Sequence, residues 1–167
     1  MPRYRRRTTS YPRRVTQSYK QVKYEAPASV AAATANVHTI ATGVDNYTGP
    51  SAANSEVPTG AIIKAIDIQY TVVNLVSIAS IWCLSIQQIR SGQTEISPLT
   101  VGGSPLRNQV FMTVFRNVGK DQNCNVHVRF KIPQKFQRVR EGTTWKAVTD
   151  CTTIRTESAY YIYKFFR

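Results

Sequence analysis

The chain has 167 residues and a net charge of +13, from 22 lysines and arginines against 9 aspartates and glutamates. Its length suits one domain with a sizeable core, and its 42% of hydrophobic residues excludes a wholly disordered chain. The cysteines, Cys83, Cys124 and Cys151, form no Cys-x-x-Cys pair, which argues against a disulfide framework and a zinc ribbon. The charge is the informative feature, and it implies a polyanionic partner.

The positive charge is concentrated at the start of the chain. Residues 1–24 carry eight basic residues and no acidic one, so they hold +8 and the remainder holds 14 − 9 = +5. Proline at positions 2, 12 and 27 discourages regular structure, so residues 1–27 are interpreted as a flexible basic arm. Arginine binds phosphate through its planar fork, and tyrosine stacks on unpaired bases. The residues of the arm expected to bind nucleic acid are Arg3, Arg5, Arg6, Arg7, Arg13, Arg14, Lys20, Lys23, Tyr4 and Tyr11.

Such an arm contacts phosphate without reading the base sequence. The same composition also fits a nuclear-import signal, a solubility tail or a segment that binds anionic lipid.

From residue 36 onwards the chain reads as β-strands. Residues 36–42 are a short candidate, and residues 43–60 form a long loop rich in Gly, Pro, Ser and Asn. Apolar and polar residues alternate in 62–75, which predicts a half-buried strand. Residues 80–90 are apolar on both faces, which predicts a central strand between two layers. A second long loop is expected at 91–108.

The second half of the chain continues this pattern. Residues 124–132 give the cleanest alternation, with an apolar face opposite a polar, positively charged one. Further strands are expected at 109–118, 136–140, 143–148 and 158–166. Eight strands with long loops predict an all-β fold, a single eight-stranded antiparallel jelly-roll sandwich over residues 28–167 that follows the arm.

A second group of basic residues lies between residues 116 and 146. Among them, a surface that continues the binding groove of the arm is expected to contain His127, Arg129, Lys131, Lys135, Arg138 and Arg140. An ordinary solvated face explains the same residues equally well, and the sequence leaves both interpretations open.

No catalytic, cofactor or metal site is expected. His38 and His127 both lie in alternating strand patterns, the acidic residues are scattered, and no nucleotide-binding or hydrolase motif occurs. Residues 68–89 are uncharged but contain eight polar residues, so they predict two buried strands and a turn of a soluble protein and not a membrane span.

Three segments carry a family resemblance. The Arg- and Tyr-rich start, the segment Ile132–Gly142 followed by Trp145, and the aromatic end Tyr163–Arg167 resemble capsid proteins of small circular Rep-encoding single-stranded DNA viruses, the circovirus-like group. The resemblance implies one jelly roll assembled with icosahedral symmetry, most simply from sixty copies (T=1), with the arm facing inward onto single-stranded DNA. It also implies that the arm is read by a host nuclear import receptor, and places the protein in the virion and the host nucleus.

Three functions remain in contention at the level of sequence. They are a shell-forming capsid protein, a single-stranded nucleic-acid-binding module of the OB type, and a ribosomal or chromatin-type basic protein. The long loops favour the shell, since loops of that length are uncommon in a compact domain without a role. Capsids of satellite-type RNA viruses share the same layout, so both DNA and RNA stay open, with DNA preferred.

Overall fold

The computed structural model describes residues 17–50, 55–100, 109–120 and 122–167, which form two packed β-sheets. The strands are β1 (Ser18–Val30), β2 (Asn36–Val44), β3 (Glu56–Pro58), β4 (Ile62–Asn74), β5 (Ser80–Ile89), β6 (Gln109–Val118), β7 (Asn123–Lys131), β8 (Thr144–Cys151) and β9 (Arg155–Phe166). One sheet has the order β1-β9-β4-β7 and the other β3-β2-β8-β5-β6. All pairings are antiparallel except β2 with β3. The expected all-β sandwich is confirmed.

The core lies between the sheets, where alternating strands bring their apolar sides together. In β4, Ile66, Ile68 and Val72 are fully buried, whereas Gln69 and Thr71 are exposed, as the alternation predicts. β7 shows the same alternation. Complete burial of each such side chain contributes about 1.5–3 kcal/mol, so these strands hold the sheets together.

Strand β5 is buried on both faces, as its sequence predicts. One face packs into the core, and the segment after the strand covers the other. The Gln87 amide is paired with the backbone of Ile96: Nε2 donates to the carbonyl oxygen at 2.6 Å, and the Ile96 N–H donates to Oε1 at 3.2 Å. Ser97 Oγ donates to the carboxylate of buried Asp150 in the adjacent strand β8. Buried polar side chains therefore fix the start of this long loop.

The first difference from the expectation concerns the arm. Residues 18–27, which were assigned to the arm, belong to strand β1, which pairs with β9 from Ser18 opposite Phe166 to Val30 opposite Arg155. The sequence hides this strand because its basic residues and Pro27 resemble a disordered segment. Pro27 lies in a β-bulge between Glu25 and Ala28, where its missing N–H costs no ladder bond.

The second difference is at residues 136–140, where no strand forms. A 3-10 turn occupies Gln134–Phe136, and Arg138 makes a single bridge to Ile62. Val139, the apolar residue that suggested alternation, is buried, but it lies in an irregular segment. This segment is held to the sheet by a backbone bond in which the Val139 N–H donates to the carbonyl oxygen of Ala61 at 2.8 Å.

The described residues contain nine strands where eight were expected. Besides β1, the addition is β3, which pairs in parallel with β2 inside the expected loop 43–60. Strand β8 continues past the expected end at residue 148 to Cys151, and β9 begins at Arg155 and not at residue 158. A short turn therefore joins the two strands.

Candidate nucleic-acid interface

Four lysines lie close to one another across the exposed face of the four-stranded sheet. Lys20 of β1 and Lys164 of β9 are directly opposite each other. Lys131 of β7 is opposite Ala65 of β4, and Lys64 precedes Ala65 in the bulge of β4 that faces Lys164. All four lysines are exposed. We call them the lysine row.

Among the described residues, no lysine of the row forms a salt bridge, and Asp67 is the carboxylate that shares a depression with Lys64 and Lys164. Like charges that are directly opposite on neighbouring strands are destabilising. The Lys64 and Lys164 Nζ atoms lie 5.1 Å and 5.4 Å from the ring centroid of Phe166, a cation–π arrangement that offsets part of the repulsion. No aspartate or glutamate stands at a described position of the row itself. An anion from outside the chain would relieve the repulsion.

Next to the lysine row, on the same exposed face, lie two of the expected basic residues, His127 and Arg129, and the carboxylate of Asp67. Arg129 is directly opposite Asp67, and His127 Nε2 lies 2.5 Å from Asp67 Oδ1. His127, Arg129 and Lys131 therefore share one exposed face, as expected from the alternation of β7. Asp67 therefore lies next to the first two, and Lys131 is the member of the three that belongs to the lysine row.

The strand pairing also places the point at which the arginine-rich segment joins the sheet. The Arg167 N–H donates to the carbonyl oxygen of Gln17 at 2.9 Å, and Ser18 lies opposite Phe166. Residues 1–16 are thus attached beside the lysine row. The expected arm residues Arg3, Arg5, Arg6, Arg7, Arg13, Arg14, Tyr4 and Tyr11 lie outside the described residues.

The two lysines expected in the arm have different surroundings. Lys20 is part of the lysine row. Lys23 is half-buried, and its ammonium nitrogen lies 2.9 Å from Glu25 Oε1. Because Glu25 already balances this charge, we leave Lys23 out of the interface.

The remaining expected basic residues form a cluster in the connection between β7 and β8. Lys135, Arg138 and Arg140 line a depression together with Arg90, which follows β5. Its other lining residues are the uncharged Gln88, Phe136 and Thr143. Arg138 bridges to Ile62, two residues before Lys64, so the cluster adjoins the lysine row at one end of the sandwich. We call the row and this cluster together the basic end.

The sequence did not single out Lys64, Lys164, Phe166 or Arg90. Lys64, Lys164 and Arg90 are each flanked by uncharged residues along the chain, and only the fold brings them near the other basic residues. Lys164 alone left a usable signal, since it is the one charge in the aromatic run of β9.

The buried ionisable groups serve the fold and not this interface. Burial opposes the ionisation of Glu157, but Arg155 Nε at 2.5 Å and the donors Thr149 and Asn36 outweigh it and hold the pKa of Glu157 below its usual value. Across the described ranges, no three His, Cys, Asp or Glu side chains are grouped as metal ligands. Nor does any helix there have the length and apolar character needed to cross a bilayer.

Comparison with protein-family models finds no family that matches the chain, and a search of curated proteins finds no significant match.

Proposed function

We propose that this chain is a viral capsid protein that assembles into a small icosahedral shell and packages a single-stranded genome, DNA in preference to RNA. The observation that carries the proposal is the lysine row, a line of lysines without salt bridges among the described residues that lies beside the attachment point of residues 1–16. Those sixteen residues contain six arginines and no acidic residue. Gln17, to which this segment is joined, therefore lies at the same end of the domain as the lysine row.

The order of the strands supports a shell-forming fold. If the short edge strand β3 is set aside and the others are renumbered from one to eight, the two sheets have the orders 1-8-3-6 and 2-7-4-5. This order is the one expected of a jelly roll, a double-sheet architecture found in viral capsids, lectins and cupins. The fold alone does not define a function, and the basic end makes the capsid the preferred member of that group.

The proposed mechanism is electrostatic condensation. Lysine and arginine at the basic end and in residues 1–16 replace the counterions of a phosphate backbone, and the released counterions drive binding. Contacts of this kind position the strand without reading bases. Sixty copies would bring 60 × 13 = 780 positive charges, enough to neutralise roughly 800 nucleotides. We further propose that the arginine-rich segment is recognised by a nuclear import receptor.

An OB-type binding module is the second candidate, and the fold disfavours it. An OB-fold is a five-stranded barrel that binds strands on one sheet face. Here two separate sheets of four and five strands pack against each other. A ribosomal or chromatin-type protein remains the other alternative, and assembly distinguishes it.

The test is to purify the full chain and examine it by sedimentation, negative-stain electron microscopy and absorbance. We expect a closed megadalton particle whose nucleic acid becomes accessible to nuclease only after disassembly. Digestion with DNase or RNase then identifies the genome. A monomer at every salt concentration and pH, with or without added oligonucleotide, would contradict the capsid proposal.

A further inference from the structure

The depression at the basic end has the size of a small ligand site. Its volume is about 330 Å³, and cavities that bind small molecules range from about 300 to 1,000 Å³. Four cationic side chains line it, and none of them forms a salt bridge within the ranges that the structure describes. They are Arg90, Lys135, Arg138 and Arg140. We call this site the basic depression.

Backbone hydrogen bonds fix the segment that carries two of the arginines. The Val139 N–H donates to the carbonyl oxygen of Ala61 at 2.8 Å, and the Val139 carbonyl oxygen accepts a bond from the Gly60 N–H at 2.9 Å. Val139 itself is buried, whereas its neighbours Arg138 and Arg140 are exposed and line the depression. Because the backbone is held in place without a ligand, less conformational entropy is lost when one binds.

Arg90 reaches the basic depression from a different connection. It directly follows Ile89, which ends β5 opposite Thr144 of β8. The Arg90 carbonyl oxygen accepts a bond from the Gln93 N–H at 3.0 Å, and the Arg90 N–H donates to Gln93 Oε1 at 3.3 Å, which closes a turn. Arginines from two separate and anchored connections therefore converge on one depression.

The uncharged part of the lining offers a hydrogen-bond donor but little surface for a base. Gln88 is only 6% exposed, and its side-chain amide makes no hydrogen bond with the rest of the described chain. The ring of Phe136 is in contact with Lys135, whose Nζ lies 4.8 Å from the ring centroid, and with the ring of Phe111 at 4.7 Å. Single strands bind such sites by stacking bases on free aromatic rings. The lining therefore suits phosphate oxygens better than bases.

From this lining we propose that the basic depression binds a small polyphosphate chain, either free or as the phosphate chain of a nucleotide. Four cations around one depression repel one another, and a multivalent anion removes that repulsion. The planar forks of the three arginines bind phosphate oxygens bidentately. This ligand goes beyond the proposed function, since it is a small molecule and not the genome, and its binding does not require assembly.

The arrangement of the cations distinguishes this ligand from a nucleic-acid strand. The lysine row crosses the four-stranded sheet, so it offers positive charges in a line, as the backbone of a strand requires. The basic depression instead gathers four positive charges around one cavity. Phosphates that are linked directly to one another carry a comparable density of negative charge.

The test is calorimetric titration of the full chain, freed of nucleic acid, with inorganic triphosphate. We expect saturable binding of one triphosphate per chain. Arg138→Gln and Arg140→Gln should each raise the dissociation constant by about tenfold or more, because each removes a charge-assisted pair of hydrogen bonds. Arg138→Lys, which keeps the charge but loses the fork, should have a smaller effect. Arg116→Gln, at an exposed position of β6 outside the depression, is the matched control and should bind like the wild type. Circular dichroism checks that each variant is folded.

Further ligands identify the recognised group and separate this proposal from the capsid proposal. The nucleotide dATP should bind within about threefold of inorganic triphosphate, and deoxyadenosine should not bind, because the phosphate chain provides the contacts. Absence of saturable binding, an equal loss in Arg116→Gln and Arg138→Gln, or equal binding of sulfate at the same ionic strength would overturn the polyphosphate site and leave the capsid function standing. A chain that binds triphosphate in this way but never assembles would contradict the capsid function and support the site.

Discussion

Asn74 and Arg155 lie directly opposite each other on β4 and β9, and their buried side chains together hold the four connections at the end of the sandwich opposite the basic end, at residues 31–35, 75–79, 119–122 and 152–154. In these four connections Lys120 is the only charged residue among the positions that the structure describes, whereas the other end of the sandwich carries the lysine row.

Removal of the Arg155 guanidinium should destabilise the fold strongly. In Arg155→Met the carboxylate of Glu157 stays buried and keeps its bonds from Trp82 Nε1 and Thr149 Oγ1, but it loses its counter-charge. Breaking a buried ion pair in this way costs about 3–5 kcal/mol. The measurement is the free energy of unfolding in urea. Arg116→Met, at an exposed position, should change it by less than about 0.5 kcal/mol. Equal losses in the two variants would contradict the role of Arg155.

Acid should destabilise the domain through His38. Burial lowers the pKa of His38 from 6.5 to about 4, because the charged ring loses its water. The neutral ring contacts Glu25 through Nδ1, and its Nε2 has no hydrogen-bond partner among the described residues. The unfolded chain therefore binds a proton at a higher pH than the folded one. Stability that is present above pH 6.5 should fall by about 2–3 kcal/mol as the pH decreases to about 4.

The control for this pH dependence is His38→Asn, which keeps a donor toward Glu25 but does not titrate. Its stability should vary less between pH 6.5 and pH 4 than that of the wild type. Identical pH profiles would show that another group is responsible.

A methyl group at Gly43 should disrupt the packing of the β7–β8 connection on β2. A Cβ there would lie 2.1 Å from the carbonyl oxygen of Arg140 and 2.7 Å from Val139 Cγ1, so the backbone must move. We expect Gly43→Ala to cost about 1–3 kcal/mol in thermal or urea unfolding. In Gly119→Ala the nearest atoms belong to the flexible side chain of Gln122, so this variant should lose less. A reversed order would contradict the close approach.

Neutralisation of the lysine row should separate binding from stability. Lys164→Gln removes a like-charge neighbour of Lys20, so the free domain should be as stable as the wild type or more stable. Binding to single-stranded oligonucleotide should weaken, and the salt dependence of the binding constant should decrease by about 0.7 in slope. Lys146, whose Nζ lies 2.9 Å from Glu95, provides the matched control. Lys146→Gln should leave the slope unchanged, and an equal effect of the two substitutions would contradict the interface.

Much of the fold could be predicted because most strands carry their own signal. The alternation in β4 and β7 and the two-sided apolar character of β5 follow from burial of side chains that are close in sequence. β1 could not be predicted in this way, because its partner β9 is more than a hundred residues away and its one buried residue is the polar Gln21, so its sequence shows no apolar alternation. At residues 136–140 the alternation predicted a strand that does not form, because Val139 is buried within an irregular segment.

The site was predictable only in part, for a related reason. Lys131, Arg138 and Arg140 belong to a dense basic segment and were recognised as a group. Lys64 and Lys164 were not, because the bulge in β4 and the register with β9 decide which lysines become neighbours. Asn74 and Arg155 gave no sequence signal, since a single polar residue at a strand end reads as an ordinary boundary.

The most direct test of the central claim is photo-crosslinking of a halogenated single-stranded oligonucleotide to the assembled wild-type chain, mapped by mass spectrometry. The account predicts crosslinks at Phe166 and in the segments that carry Lys20, Lys64, Lys164 and Lys131, together with residues 1–16, and their loss at high salt. Crosslinks that fall instead at the opposite end of the sandwich, at residues 75–79 and 152–154, or that persist unchanged at high salt, would contradict it.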